Sequence, residues 1–96
     1  MAETIGQQDE ATGRLDAMTL ALQMLGWMLS DDRRAERLLS LSGLTPDDLR
    51  SGAGDPAMLA GVMALIEAHE PDLVGAAQSL GVSPQRLVQA RRELIA

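Results

Sequence analysis

The chain has 96 residues, 46% of them hydrophobic, and a formal net charge of −6. That length fits one domain with a thin core and leaves no room for two, and the hydrophobic share argues against disorder. Cysteine is absent, which excludes disulfides, thiol nucleophiles and thiolate metal sites and favours a reducing cytoplasm.

The N-terminal stretch, Met1 to Gly13, is polar and partly acidic without an apolar run. It reads as a flexible tail over residues 1–13, not as a signal or transit peptide, ahead of a single helical domain over 14–96. The first helix is predicted from Gly13 or Arg14 to about Ser30. Leu15, Met18, Leu22, Leu25 and Leu29 recur at three- and four-residue steps and are expected on its inner face. Asp16 and Gln23 interrupt the apolar run, which also falls short of a bilayer span. A second set, Leu20, Met24, Trp27 and Met28, lies to one side, so this helix is apolar most of the way round. Such a helix is either central in a bundle or partly exposed to a partner. Trp27 is the only aromatic side chain apart from His69, and as the largest residue it is a natural core anchor. Trp also anchors interfaces, and methionine-rich surfaces adapt to partners. Gly26 weakens the helix, so another backbone is expected to pass close to it.

Asp31 caps the second helix, with Arg33, Arg34 and Glu36 outward and Ala35, Leu38, Leu39 and Leu41 inward, and Gly43 supplies its left-handed end. Thr45-Pro46-Asp47-Asp48 gives a capping oxygen, a first-turn proline and acids at the positive end of a short third helix reaching about Ser51. Asp55-Pro56 repeats the start signal. The fourth helix is predicted to turn Met58, Leu59, Val62, Met63 and Ile66 inward and to end near His69. Pro71 opens a fifth helix with Leu73, Val74, Ala77 and Leu80, which stops at Gly81. Ser83-Pro84 caps a sixth, with Leu87, Ala90 and Leu94 along one side. No segment alternates as a strand does. The expected fold is therefore all-α, a compact orthogonal bundle of about five to six short helices.

Chemistry-bearing residues are sparse. His69 lies beside Glu67, Glu70 and Asp72 but lacks the second histidine of a zinc-binding helix, so a solvated helix end is the simpler reading. The pairs Asp31-Asp32 and Asp47-Asp48 sit at helix starts, where capping accounts for them. Gly52-Ala53-Gly54 is too short for a phosphate loop, and no nucleophile-elbow pattern accompanies the serines. No enzyme, catalytic residue, metal or cofactor is expected.

Leu73 to Arg92 fits a helix-turn-helix pattern. Ala76 and Ala77 permit close crossing, Gly81 turns the chain, and Leu80, Val82, Leu87 and Ala90 pack the angle. In a nucleic-acid binder of this kind Gln85, Arg86 and Gln89 would face base edges, and Arg91 and Arg92 would lie nearer phosphates. The pattern specifies a helix pair more strongly than it specifies DNA binding, and an acidic body opposes general attraction to nucleic acid or anionic membrane. Two functions stand in competition. The leading one is a non-enzymatic cytoplasmic module that binds another protein or itself through Leu20, Met24, Trp27 and Met28. The alternative is a nucleic-acid-binding regulator using Gln85, Arg86, Gln89, Arg91 and Arg92. No membrane association is expected.

The stretch Ala21-Leu22-Gln23-Met24-Leu25-Gly26-Trp27, the segment Leu41-Ser42-Gly43-Leu44-Thr45-Pro46-Asp47-Asp48-Leu49, then Asp55-Pro56-Ala57-Met58-Leu59 and His69-Glu70-Pro71, resemble a small family of alphaproteobacterial proteins catalogued as a domain of unknown function, DUF3572. The resemblance covers about Asp16 to Leu94, and Gly43 to Leu49 followed by Asp55-Pro56 is its most specific part. It implies a small helical cytoplasmic bacterial protein and transfers no activity or site.

Overall fold

Four helices begin where side-chain oxygens take up otherwise unpaired amides. Asp31, Thr45, Asp55 and Ser83 accept from the backbone N–H of Arg34, Asp48, Ala57 and Arg86. These caps open four of the six helices in this computed structural model: α1 (Ala2–Leu29), α2 (Asp32–Ser42), α3 (Pro46–Gly52), α4 (Pro56–Glu67), α5 (Glu70–Leu80) and α6 (Pro84–Leu94). The structure describes residues 2–96, with side chains from Asp16 onward; the expected tail over 1–13, the expected helix start at Gly13 or Arg14 and Leu15 of the expected inner face fall outside the residues so described. Among the described residues there is no strand, and the fold is an all-α bundle.

Thr45 and Asp48 form a reciprocal capping box: Asp48 N donates to Thr45 Oγ1 at 3.1 Å, and Thr45 N to Asp48 Oδ2 at 2.9 Å. Gly43 and Gly81 take φ of 71° and 72° at the ends of α2 and α5, a conformation that disfavours any side chain. Proline stands in the first turn of α3, α4, α5 and α6, where a missing amide hydrogen costs no helical bond.

The core lies where α1 packs on α6 and α4, with α5 closing one side and α2 another. Leu59, Val62, Met63 and Ile66 of α4 and Leu87, Ala90 and Leu94 of α6 are buried, as the spacing predicts. Ala17, Ala21, Ala60, Ala76, Ala77 and Ala90 are buried with them, and small side chains at crossings let helix axes approach closely.

Two expected faces need correction. On α1 the buried residues are Ala17, Ala21, Met24, Leu25 and Met28, whereas Leu22 and Leu29 are each 41% exposed. The inner face is thus turned by about one residue from the leucine stripe. Both stripes step by three and four, and close packing selected the one containing Ala17 and Ala21. On α2 only Leu38 is buried, and Leu41, expected inward, is 58% exposed. It belongs to the last turn of α2, just before Gly43 redirects the chain.

Candidate functional site

Two of the four residues predicted to form the protein-interaction surface do not reach solvent. Met24 and Met28 are buried in the core, and Leu20 and Trp27 are half-buried against it. The same rotation of α1 that exposes Leu22 and Leu29 carries both methionines inward. Trp27 is held from two sides. The Arg34 guanidinium carbon lies 3.8 Å from its ring centroid, and a Cβ built on Gly75 of α5 would stand 2.8 Å from the ring. The close approach expected at Gly26 therefore occurs at Gly75; Gly26 is exposed, with nothing within 4 Å of its Cβ position. Arg34, expected outward, is half-buried. Its Nη2 donates to Trp27 O at 2.9 Å and to Ser30 Oγ at 3.0 Å, placing a cation on the negative end of α1.

The candidate nucleic-acid residues are divided in the same way. Gln85, Gln89 and Arg92 are exposed, and Arg86 and Arg91 are half-buried. Arg86 Nη1 lies 3.5 Å from Glu93 Oε1, and Arg91 Nε pairs with Glu67 Oε2 at the end of α4. Two of the three α6 arginines are thus neutralised within the bundle. Around Arg92, the groove between α5 and α6 is lined by Leu73, Pro84, Gln85, Val88 and Gln89. It has no second described cation on its walls.

The residues around His69 separate. His69 and Glu70 are exposed, and His69 begins α5 without a side-chain capping bond. Glu67 turns to Arg91. Asp72 is buried and chelated by Arg37 of α2, with Nη2 2.6 Å from Oδ1 and Nε 3.2 Å from Oδ2. Among the described residues no group of three or more His, Asp or Glu side chains could hold a metal ion.

An open groove between α2 and α4, which the sequence reading did not single out, is lined by Leu41, Ser42, Leu44, Met58, Gly61, Val62 and Leu65, with a volume of about 440 Å³. Its wall is α4, and from Pro56 to Ile66 that helix carries no polar side chain. One side of α4 fills the core, while Ala57, Gly61 and Ala64 on the other face solvent. A surface helix ordinarily has a charged or polar outer stripe. The signal was present in the sequence as this eleven-residue apolar run, which an assignment of inward positions alone passes over.

Two carboxylates are bonded to amides next in sequence to lining residues of the groove. Asp48 Oδ2 accepts from Thr45 N, the amide following Leu44, and Asp55 Oδ1 accepts from Ala57 N at 3.0 Å, the amide preceding Met58. Both aspartates are exposed, and neither forms an ion pair with another described residue. The Thr45 backbone N–H, and after it the Thr45 side chain, holds the Asp48 carboxyl below its ordinary range.

Fold and surface define a small all-α bundle with a packed Ala-, Met- and Leu-rich centre and one helix left apolar on its outer side. The family model described as "Protein of unknown function (DUF3572)" matches residues 14–96, and the chain belongs to that family. No curated protein and no solved structure matches it. No described helix is long and apolar enough to cross a membrane.

Proposed function

We propose that this protein is a non-enzymatic helical module of the cytoplasm that binds another protein through the α2–α4 groove. One observation carries the reading: α4 turns Ala57, Gly61 and Ala64 to solvent and has no polar side chain between Pro56 and Ile66. Desolvating such a face removes no hydrogen bond to water from a side chain, so its burial under a partner is favourable at about 25 cal/mol per Å². Leu41 stands beside it as an exposed apolar side chain, the kind of residue that fills a partner's pocket. This surface replaces Leu20, Met24, Trp27 and Met28 as the proposed contact.

Gly61→Arg tests the reading. Nothing lies within 4 Å of the Gly61 Cβ position, so a long side chain there enters the groove without disturbing the bundle. Affinity capture from the native cell, with wild type and variant compared by mass identification, is expected to show a protein recovered by the wild type and lost with the variant. Identical captured sets from the two forms would sink it.

The nucleic-acid alternative through Gln85, Arg86, Gln89, Arg91 and Arg92 has weaker support, because Arg86 and Arg91 already hold carboxylates. A phosphate would have to displace an internal ion pair to reach either one.

A further inference from the structure

We infer that the occupant of the α2–α4 groove is a short amphipathic helix of a partner protein, bearing Lys or Arg beside its apolar face. The inference rests on the proposed binding role of the groove and adds the chemistry of what it takes.

Length and shape set the first half. Met58 to Leu65 spans seven residue steps, about 10 Å of helix at 1.5 Å per residue, so the wall accommodates roughly two turns. Gly61 at the middle of that wall lacks a side chain and lets another helix approach closely, while Leu41 and Leu44 face it from α2 and the following turn. A helix in such a groove would offer apolar residues at three- and four-residue intervals.

Charge sets the second half. Asp48 and Asp55 are fastened by hydrogen bonds to amides next to Leu44 and Met58, so both carboxylates are held close to two residues that line the groove. Asp48 is held ionised by Thr45. Arg50, the nearest arginine along the chain, is paired with Asp47 at 3.1 Å. The −6 of the whole chain acts in the same direction over longer range. A second copy of the chain would bring the same two carboxylates and the same net charge to the contact, whereas a basic helix is attracted by both.

The test uses the full chain and two synthetic helical peptides of about three turns. They have one leucine face in common and are flanked by Lys in one and by Glu in the other. Fluorescence anisotropy gives affinity, and backbone amide shifts give location. The Lys peptide is expected to bind at least ten-fold more tightly than the Glu peptide, with shifts centred on Leu41, Gly61 and Leu65, and to weaken with salt. The double variant Asp48→Asn and Asp55→Asn keeps side-chain acceptors at both caps and removes two charges; it is expected to weaken the Lys peptide several-fold. Equal binding of the two peptides, binding of neither, shifts centred elsewhere, or a dimer in sedimentation that Gly61→Arg dissociates would each overturn the inference. The capture experiment reads the binding role separately. A partner lost with Gly61→Arg whose contacting segment is not basic would leave that role standing and remove this one.

Discussion

At the scale of single residues, glycine shows how differently one residue type can be constrained. Gly26 and Gly75 both sit inside helices, where alanine is favoured over glycine by roughly 1 kcal/mol. At Gly26 nothing opposes that gain, because its Cβ position is open. Gly26→Ala is therefore expected to raise stability by up to about 1 kcal/mol in urea unfolding. At Gly75 a Cβ would stand 2.8 Å from the Trp27 ring, and the Arg34 guanidinium lies over that ring. Overpacking of this kind costs about 1–3 kcal/mol, which outweighs the propensity gain. Gly75→Ala is expected to lower stability and to shift the emission of the only tryptophan, and unchanged emission with raised stability would contradict the packing described. The sequence identifies Trp27 as an anchor but not Gly75 as its counterpart. A glycine inside a helical pattern looks the same whether it admits a ring from another helix or faces water; only the crossing of α1 and α5 separates them.

At the scale of elements, helix boundaries were legible because they are set by neighbours in sequence. Thr45, Asp55 and Ser83 cap helices within three residues of themselves, and Gly43 and Gly81 end them through their own φ. Gly81→Ala is expected to cost about 1–2 kcal/mol, the penalty for a side chain in the left-handed region. The capping box adds a pH dependence. Its folded state holds the Asp48 pKa below that of an unperturbed aspartate, so the stabilisation is present above the unfolded pKa and is lost as pH falls through the folded pKa. NMR titration is expected to place Asp48 below an unperturbed aspartate, and Thr45→Ala to move it back toward the ordinary range. What joins elements distant in sequence was not legible. Arg37 and Asp72 are 35 residues apart, and no local pattern marks them as partners. The Asp72 side chain is 7% exposed and that of Arg37 36%, so removing each partner leaves a different residue behind. Arg37→Ala strands a buried carboxylate, whereas Asp72→Ala leaves a cation that water reaches. The first is expected to cost more in thermal unfolding, and the reverse order would contradict the burial on which it rests.

At the scale of the whole molecule, arginine is used mainly to hold the acidic chain together. Arg34 closes α1, Arg37 ties α2 to α5, Arg86 pairs within α6, and Arg91 ties α6 to α4. The helix-pair pattern over Leu73 to Arg92 correctly marked Ala76, Ala77, Leu87 and Ala90 as packed. A linear pattern records which side chains pack, but not whether an arginine beside them faces solvent or a carboxylate from another helix. The proposed contact surface was harder for the opposite reason: on α1 two apolar stripes compete, and on α4 the exposed residues are small enough to pass as filler. Arg91 distinguishes the two uses of α6. As a phosphate contact it could be removed with little effect on folding, and duplex binding would fall with a shallower salt dependence. As a tie to Glu67, with side chains 25% and 16% exposed, its loss leaves a largely buried carboxylate unpaired where α4 meets α6. Arg91→Ala is therefore expected to lower stability by about 1.5–3 kcal/mol, in the range of a lost charged hydrogen bond. Duplex DNA at low salt is expected to give no binding with either form. A wild type that binds duplex, together with a fully stable Arg91→Ala that does not, would return α6 to nucleic acid; loss of stability without duplex binding leaves Arg91 a structural tie between α6 and α4.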